Sequence, residues 1–255
     1  MSGWQAFHEE VARWRDLGRY VELWWRDDDA VDVTGALDRL LALHNATAVP
    51  LALAVVPARA TAALAGRLAG EPGVDVLQHG YGHVNHATAS EKKCELGPHR
   101  PAMMVLGELG AGWLAMERLF GAHAIAVLVP PWNRIAPALV PALPEIGFMG
   151  LSTFGERGRA EPVRGLRQIN THVDLIDWKG GRGFVGEEAA LAALVHALGR
   201  SRAGSGEPVG LLSHHLAMDE GAWGFLVSFW GSAKRMPGVK LGSARGIFAS
   251  REARV

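Results

Sequence analysis

The chain has one cysteine, Cys94, in 255 residues. Intrachain disulfides are therefore excluded, and so is any Cys-rich metal site. Net charge is missing too: 26 Lys+Arg stand against 26 Asp+Glu, with a pI of about 7.2. That balance removes the broad electrostatic footprint of a nucleic-acid or anionic-lipid binder. No run of about 18 apolar residues occurs, so no membrane span is expected. The opening MSGWQAFHEEVARWRD puts Glu9, Glu10 and Arg13 where a secretion signal needs apolar residues. A cytoplasmic protein with no nucleic-acid and no membrane partner is the expectation. There is no fixed-period repeat, no clean linker and no phosphate-binding loop. The absence of Gly-x-Gly-x-x-Gly after the first strand weakens nucleotide-binding readings. What remains is 49% hydrophobic residues, enough for one large core, and a single domain over residues 1–255 is expected.

Periodicity sets the elements. Trp4, Phe7, Val11, Trp14 and Leu17 recur at helical steps, and Gly18 follows as a stop. Short apolar runs then alternate with longer helical patterns. Strands are predicted at 21–25, 49–56, 74–77, 124–129, 148–153, 168–175, 209–212 and 239–241. Helices are predicted at 34–45, 58–69, 101–120, 136–146, 187–199 and 219–234. The polar tail 249–255 is expected to fray. Strand–helix alternation along the whole chain implies a parallel sheet covered by helices. About seven or eight strands in this length suits a (β/α) barrel, with a doubly wound open sheet as the competitor.

Four strands run directly into polar, metal-capable residues. VELWW leads into Arg26-Asp27-Asp28-Asp29, and VDVLQ into His79-Gly-Tyr-Gly-His83. AIAVLV leads into Pro130-Pro131-Trp132, and VGLLS into His214-His215. The carboxyl ends of parallel barrel strands share one face, so these groups should converge. Each has an ordinary reading alone: an acidic turn, satisfied loop histidines, a capping histidine. Their common position at strand ends favours chemistry. Consecutive carboxylates repel, so at least one wants a cation or a proton. Two imidazoles, four apart, plus one carboxylate suit Zn²⁺ with an open position for water, and His86 is a further possible ligand. A histidine at a strand end can act as general acid toward a leaving amine. Asp174 and Asp177 precede Trp178, whose face suits stacking on a sugar ring.

In order along the chain, RDDDA, HGYGH, VPPWN, DLIDW and LLSHH resemble the five motifs of the polysaccharide deacetylases. These are the NodB-homology group of the family 4 carbohydrate esterases. The resemblance spans roughly residues 21–220, and its second motif is the most specific. It implies a distorted (β/α) barrel with about seven parallel strands. It implies Asp28 as general base and Asp29, His79 and His83 as ligands to Zn²⁺ or another divalent transition metal such as Co²⁺, Ni²⁺ or Mn²⁺. A shift by one would make the base and ligand Asp27 and Asp28. The Trp132 backbone N–H would help hold the oxyanion, and His214 would be the acid, with His215 where the family has Asp. The third motif begins with Val129 where the family has an arginine that positions the base. Arg134 or Arg26 could replace it, with Asp174 orienting that arginine. The segment Lys92–Arg100 has no firm role; as a lid it would bring His99 and Arg100 to the substrate, beside Trp132, Trp178 and His215.

The leading expectation is a metal-dependent amidohydrolase that deacetylates an N-acetylated sugar or a related small amide. Its substrate would be a small molecule or an oligosaccharide. A cyclic-amide hydrolase on the same fold and a non-catalytic sugar-binding homologue are the alternatives.

Overall fold

In a computed structural model, residues 2–204 and 206–249 are described. Nearly all of the tail expected to fray, 250–255, lies outside them. Among the described residues, nine strands form one parallel sheet. They are β1 (Val21–Ala30), β2 (Leu51–Val55), β3 (Val74–His79), β4 (Ala124–Val129), β5 (Gly150–Leu151), β6 (Arg167–Gln168), β7 (Thr171–Asp174), β8 (Val209–Ser213) and β9 (Val239–Leu241). The order is β6-β5-β4-β3-β2-β1-β8-β7, and β9 pairs with the first residues of β1. β2, β4 and β8 are mostly buried apolar runs and β3 is buried along its length, as expected for parallel strands covered on both faces.

The sheet curls into a distorted barrel, and one stretch of chain joins its two edges. Ile169 and Thr171 donate to Leu151 and Thr153 beside β5. From Thr171 the same run pairs with β8, in the register Thr171↔Gly210. Inside lie Trp24, Ala54, Leu77, Val127, Val129 and Ile169. Phe248, from α7 (Ala244–Ala249), packs edge-on against Trp24 with centroids 6.2 Å apart. α7 fills the amino-terminal mouth of the barrel and leaves the opposite mouth free for the site.

Among the described residues, six longer helices cover the outside: α1 (Gly3–Asp16), α2 (Gly35–Thr47), α3 (Ala62–Leu68), α4 (Ala102–Phe120), α5 (Glu187–Ala203) and α6 (Glu220–Ala233). Phe7, Val11 and Trp14 of α1 face the core, where Phe7 meets Phe229 of α6 with centroids 5.5 Å apart. Thr34 and Asp219 cap α2 and α6 by accepting from Leu37 N and Ala222 N, contacts worth about 1 kcal/mol each.

Several expectations need correction. No α-helix forms at 136–146: Pro137, Pro141 and Pro144 remove amide donors there, and the segment folds as 3₁₀ turns at Pro137–Ala142 and Pro144–Ile146. The helix expected at 58–69 is a 3₁₀ turn, Pro57–Arg59, followed by α3. β1 is also longer than expected, running on through Arg26–Ala30, so the acidic run belongs to the strand itself.

Candidate active site

The three aspartates of β1 part company because the strand is irregular. Strict alternation would put Asp27 and Asp29 on one face and Asp28 on the other. The register instead shifts between Asp27 and Ala30, and Asp29 has a left-handed backbone, φ 76. That conformation is uncommon outside glycine and accompanies bulges near active sites. Asp28 and Asp29 consequently both line the cleft at the carboxyl ends of the strands, and Asp27 does not.

Asp27 points into the helix-side layer and is fully buried. It accepts from Ser213 Oγ at 2.5 Å and from the His215 backbone N–H at 3.0 Å, and its other oxygen lies 2.5 Å from His215 Nδ1. Ser213 in turn accepts from Trp25 Nε1. Burial disfavours a charged His215 ring, but the Asp27 carboxylate outweighs it and raises the pKa. His215, expected to touch substrate, is thereby taken out of the cleft. Its neighbour His214 takes the other side and faces it.

Asp29, His79 and His83 converge, with ligand-capable atoms all within 4.8 Å of one another. Asp29 Oδ1 lies 3.0 Å from His79 Nε2 and 3.2 Å from His83 Nε2. His79 Nδ1 sits 3.0 Å from the Val129 carbonyl. Only a protonated Nδ1 can donate there, so Nε2 is left free as a ligand. Burial opposes ionisation of Asp29, yet the hydrogen bonds and charge of the two histidines hold it far below the usual carboxylate range. Burial likewise lowers the pKa of His79, but Asp28 and Asp29 reverse that and raise it. Two imidazole nitrogens and a carboxylate oxygen, one ring oriented by a carbonyl, form a donor set that fits Zn²⁺ or a similar divalent ion. His86 stands outside this group.

The HGYGH loop is held by a residue the sequence reading left without a role. Glu95, 2% exposed, accepts from the backbone N–H groups of Tyr81 (3.1 Å), Gly82 (2.8 Å) and Val84 (3.4 Å). The turn needs glycine at Gly80: φ is 57, and an added Cβ would stand 2.0 Å from Glu95 Oε2. His83 at φ 57 completes the turn, and its ring packs 4.5 Å from that of Trp132.

Asp28 is gripped by a buried guanidinium. Arg26 Nε and Nη2 donate to Asp28 Oδ1 and Oδ2, both at 2.9 Å. The same side chain donates to Ser152 Oγ at 2.7 Å and Asn133 Oδ1 at 2.8 Å. Of the two arginines considered for this position, geometry selects Arg26. Arg134 donates instead to the Lys93 carbonyl at 2.8 Å and lies on the cleft rim. Asp174 orients neither arginine: it accepts from Trp178 Nε1 at 2.8 Å and stands 3.7 Å from His214 Nδ1. Burial raises the Asp174 pKa against the opposing charge of His214.

Trp132, φ 54, and Asn133, φ 56, form a left-handed turn directly after β4. The cleft they border is about 400 Å³ and is also lined by Lys93, Arg134, Trp178 and Arg182. His99 and Arg100 do not line it. His99 pairs with Glu91 at 3.0 Å and Arg100 with Glu108 at 2.8 Å, which ties both away from the cleft. From the Lys92–Arg100 segment, Lys93 is the residue that reaches the cleft.

No family model matches the chain, and no curated protein matches it in sequence. Solved structures do match. A protein described as a polysaccharide deacetylase from Mycobacterium smegmatis superposes with a TM-score of 0.67 at 18% identity, over 91% of this chain and 90% of that one. The fold is that of the polysaccharide deacetylases. A peptidoglycan N-acetylglucosamine deacetylase, Bc1960, solved with a naphthalenyl N-oxidanyl-benzamide, gives 0.53 at 17% identity, over 91% and 90% of the two chains. A family 4 acetyl xylan esterase from Clostridium thermocellum, solved with a cobalt ion, gives 0.54 at 14%, over 89% and 90%. The chain carries its converging polar groups at the carboxyl ends of its parallel strands. No helix among the described residues is long and apolar enough to cross a membrane.

Proposed function

We propose that this chain is a metal-dependent amidohydrolase of the polysaccharide deacetylase group, removing an acetyl group from an N-acetylated sugar or a related small amide. The observation that carries this reading is the pairing of an Asp29/His79/His83 donor set with an Arg26-held Asp28 and an opposed His214 in one cleft. Bound at Asp29, His79 and His83, a divalent ion supplies Lewis acidity toward the amide carbonyl and toward water. Asp28 is the base that takes the proton from the attacking water; the Arg26 fork fixes its oxygens and keeps them from turning away. His214, whose Nδ1 stands 3.7 Å from Asp174, gives a proton to the departing amine nitrogen. The Trp132 backbone N–H contributes to holding the negative oxygen. Trp132 and Trp178 provide flat apolar walls for a sugar ring.

The reading is tested by metal analysis of the purified protein and by acetate release from N-acetylated mono- and oligosaccharides, with and without chelator. Chelator-sensitive release that falls about 10²–10⁴-fold in metal-loaded Asp28→Asn is the expected result. Full activity in chelator, or in that variant, would sink it.

A further inference from the structure

The cleft carries three cations that no carboxylate among the described residues neutralises. Lys93, Arg134 and Arg182 line its mouth, from three separate loops. Lys93 Nζ stands 5.9 Å over the Trp132 ring, and Arg134 is tied to the Lys93 carbonyl. Among the described residues, no carboxylate lies within ion-pair distance of any of the three. Every carboxylate of the cleft is already engaged: Asp28 by Arg26, Asp29 by two imidazoles, Asp174 by the Trp178 indole and His214. In a chain of zero net charge, unpaired cations gathered around one opening are a local field, and a partly enclosed cleft focuses such a field on what enters. Two of them are arginines, whose planar forks match carboxylate and phosphate oxygens.

We propose that Lys93, Arg134 and Arg182 form an anion-binding rim, and that the substrate carries a carboxylate or phosphate beside the amide that is cleaved. The identity of the cleaved bond rests on the hydrolase reading above; the anion preference rests on the rim. A cleft of about 400 Å³ accommodates a sugar-sized body with one such substituent.

The test uses three probes sharing one acetamido sugar: N-acetylglucosamine, N-acetylmuramic acid and N-acetylglucosamine 6-phosphate. Binding to full-length, metal-loaded Asp28→Asn protein is read from the fluorescence of Trp132 and Trp178. At least one anionic probe should bind about tenfold tighter than the neutral one, the scale of a single charge-assisted hydrogen bond. That ratio should fall to about one between about 0.1 M and about 1 M salt, as the screening length drops from about 10 Å to about 3 Å. It should also fall to about one when Lys93→Gln, Arg134→Gln and Arg182→Gln are combined, with the neutral probe as reference for an intact cleft. Preference for one anionic probe over the other identifies carboxylate or phosphate. Equal binding of all three, no binding of either anionic probe, or an advantage that survives in the triple variant overturns the proposal; the last would assign the anion to the metal. The two readings fail separately. An anion preference without acetate release by the wild-type enzyme removes the hydrolase reading and leaves the rim. Equal kcat/KM on neutral and anionic probes removes the rim and leaves the hydrolase.

Discussion

Replacing Arg26 by methionine is the sharpest perturbation of this site. Arg26 is fully buried and spends its donors on Asp28 twice, on Ser152 and on Asn133. Methionine fills much of the space and leaves the 2%-exposed Asp28 carboxylate without its counter-charge. Breaking a buried pair from one side costs about 3–5 kcal/mol, because the remaining charge keeps its desolvation penalty. Against a typical total of about 5–15 kcal/mol, that is a large loss. Urea unfolding of Arg26→Met should show a deficit in this range. Adding Asp28→Asn should recover a good part of it, since a neutral amide needs no guanidinium, although Asp28→Asn in the wild-type background should destabilise. Should Arg26→Met fail to fold, Arg26→Lys gives the same reading on a smaller scale: the charge stays, the two-pronged grip is lost, and kcat should fall more than KM rises. A deficit below about 1 kcal/mol in Arg26→Met, or no recovery in the double variant, would refute the argument that an unpaired buried charge governs this position.

The remaining predictions concern the histidines and the loop that carries one of them. His79→Ala should abolish stoichiometric metal binding by elemental analysis, since two remaining ligands rarely hold a catalytic ion; full occupancy would move suspicion to His86. His214→Ala should keep metal and fold but lower kcat on amides far more than on activated esters, whose leaving groups need no proton; if His215→Ala gives that pattern instead, the acid is misassigned. His215 has a folded pKa raised by Asp27, so its ion pair contributes stability below about pH 6.5, the unfolded value, and that contribution is lost as pH rises through the folded value. The urea midpoint of the metal-loaded protein should therefore fall between pH 6 and pH 9 by more than that of His215→Gln, and parallel profiles would contradict the pair's role. Glu95→Gln keeps the shape but weakens the acceptor of three loop amides, so metal affinity should drop about 10–100-fold by competition with a chelator, the usual scale for supporting groups.

Much of the fold was readable from periodicity because long apolar runs are unambiguous in a parallel sheet. Ala124–Val129 matches at both ends, and the helix starts at Thr34 and Asp219 follow their capping side chains. The convergence of Asp28, Asp29, His79, His83, Trp132, Asp174 and His214 in one cleft was also legible, since strand ends of a parallel barrel meet at one mouth. Tertiary structure decided which member of each adjacent pair enters that mouth. A register shift and one left-handed residue turned Asp29 toward the cleft and left Asp27 behind with His215. No local pattern encodes that choice, because it depends on what the neighbouring strands offer each side chain. The same holds for Arg26 over Arg134: the first faces the barrel interior with Asp28 two residues on, where Ser152 and Asn133 complete its bonds from distant segments. The roles of Glu95 and Lys93 were invisible for the same reason. Their partners lie in the HGYGH loop and across the cleft, and chain folding, not spacing, brings a buried carboxylate to unpaired amides and leaves a cation facing the opening.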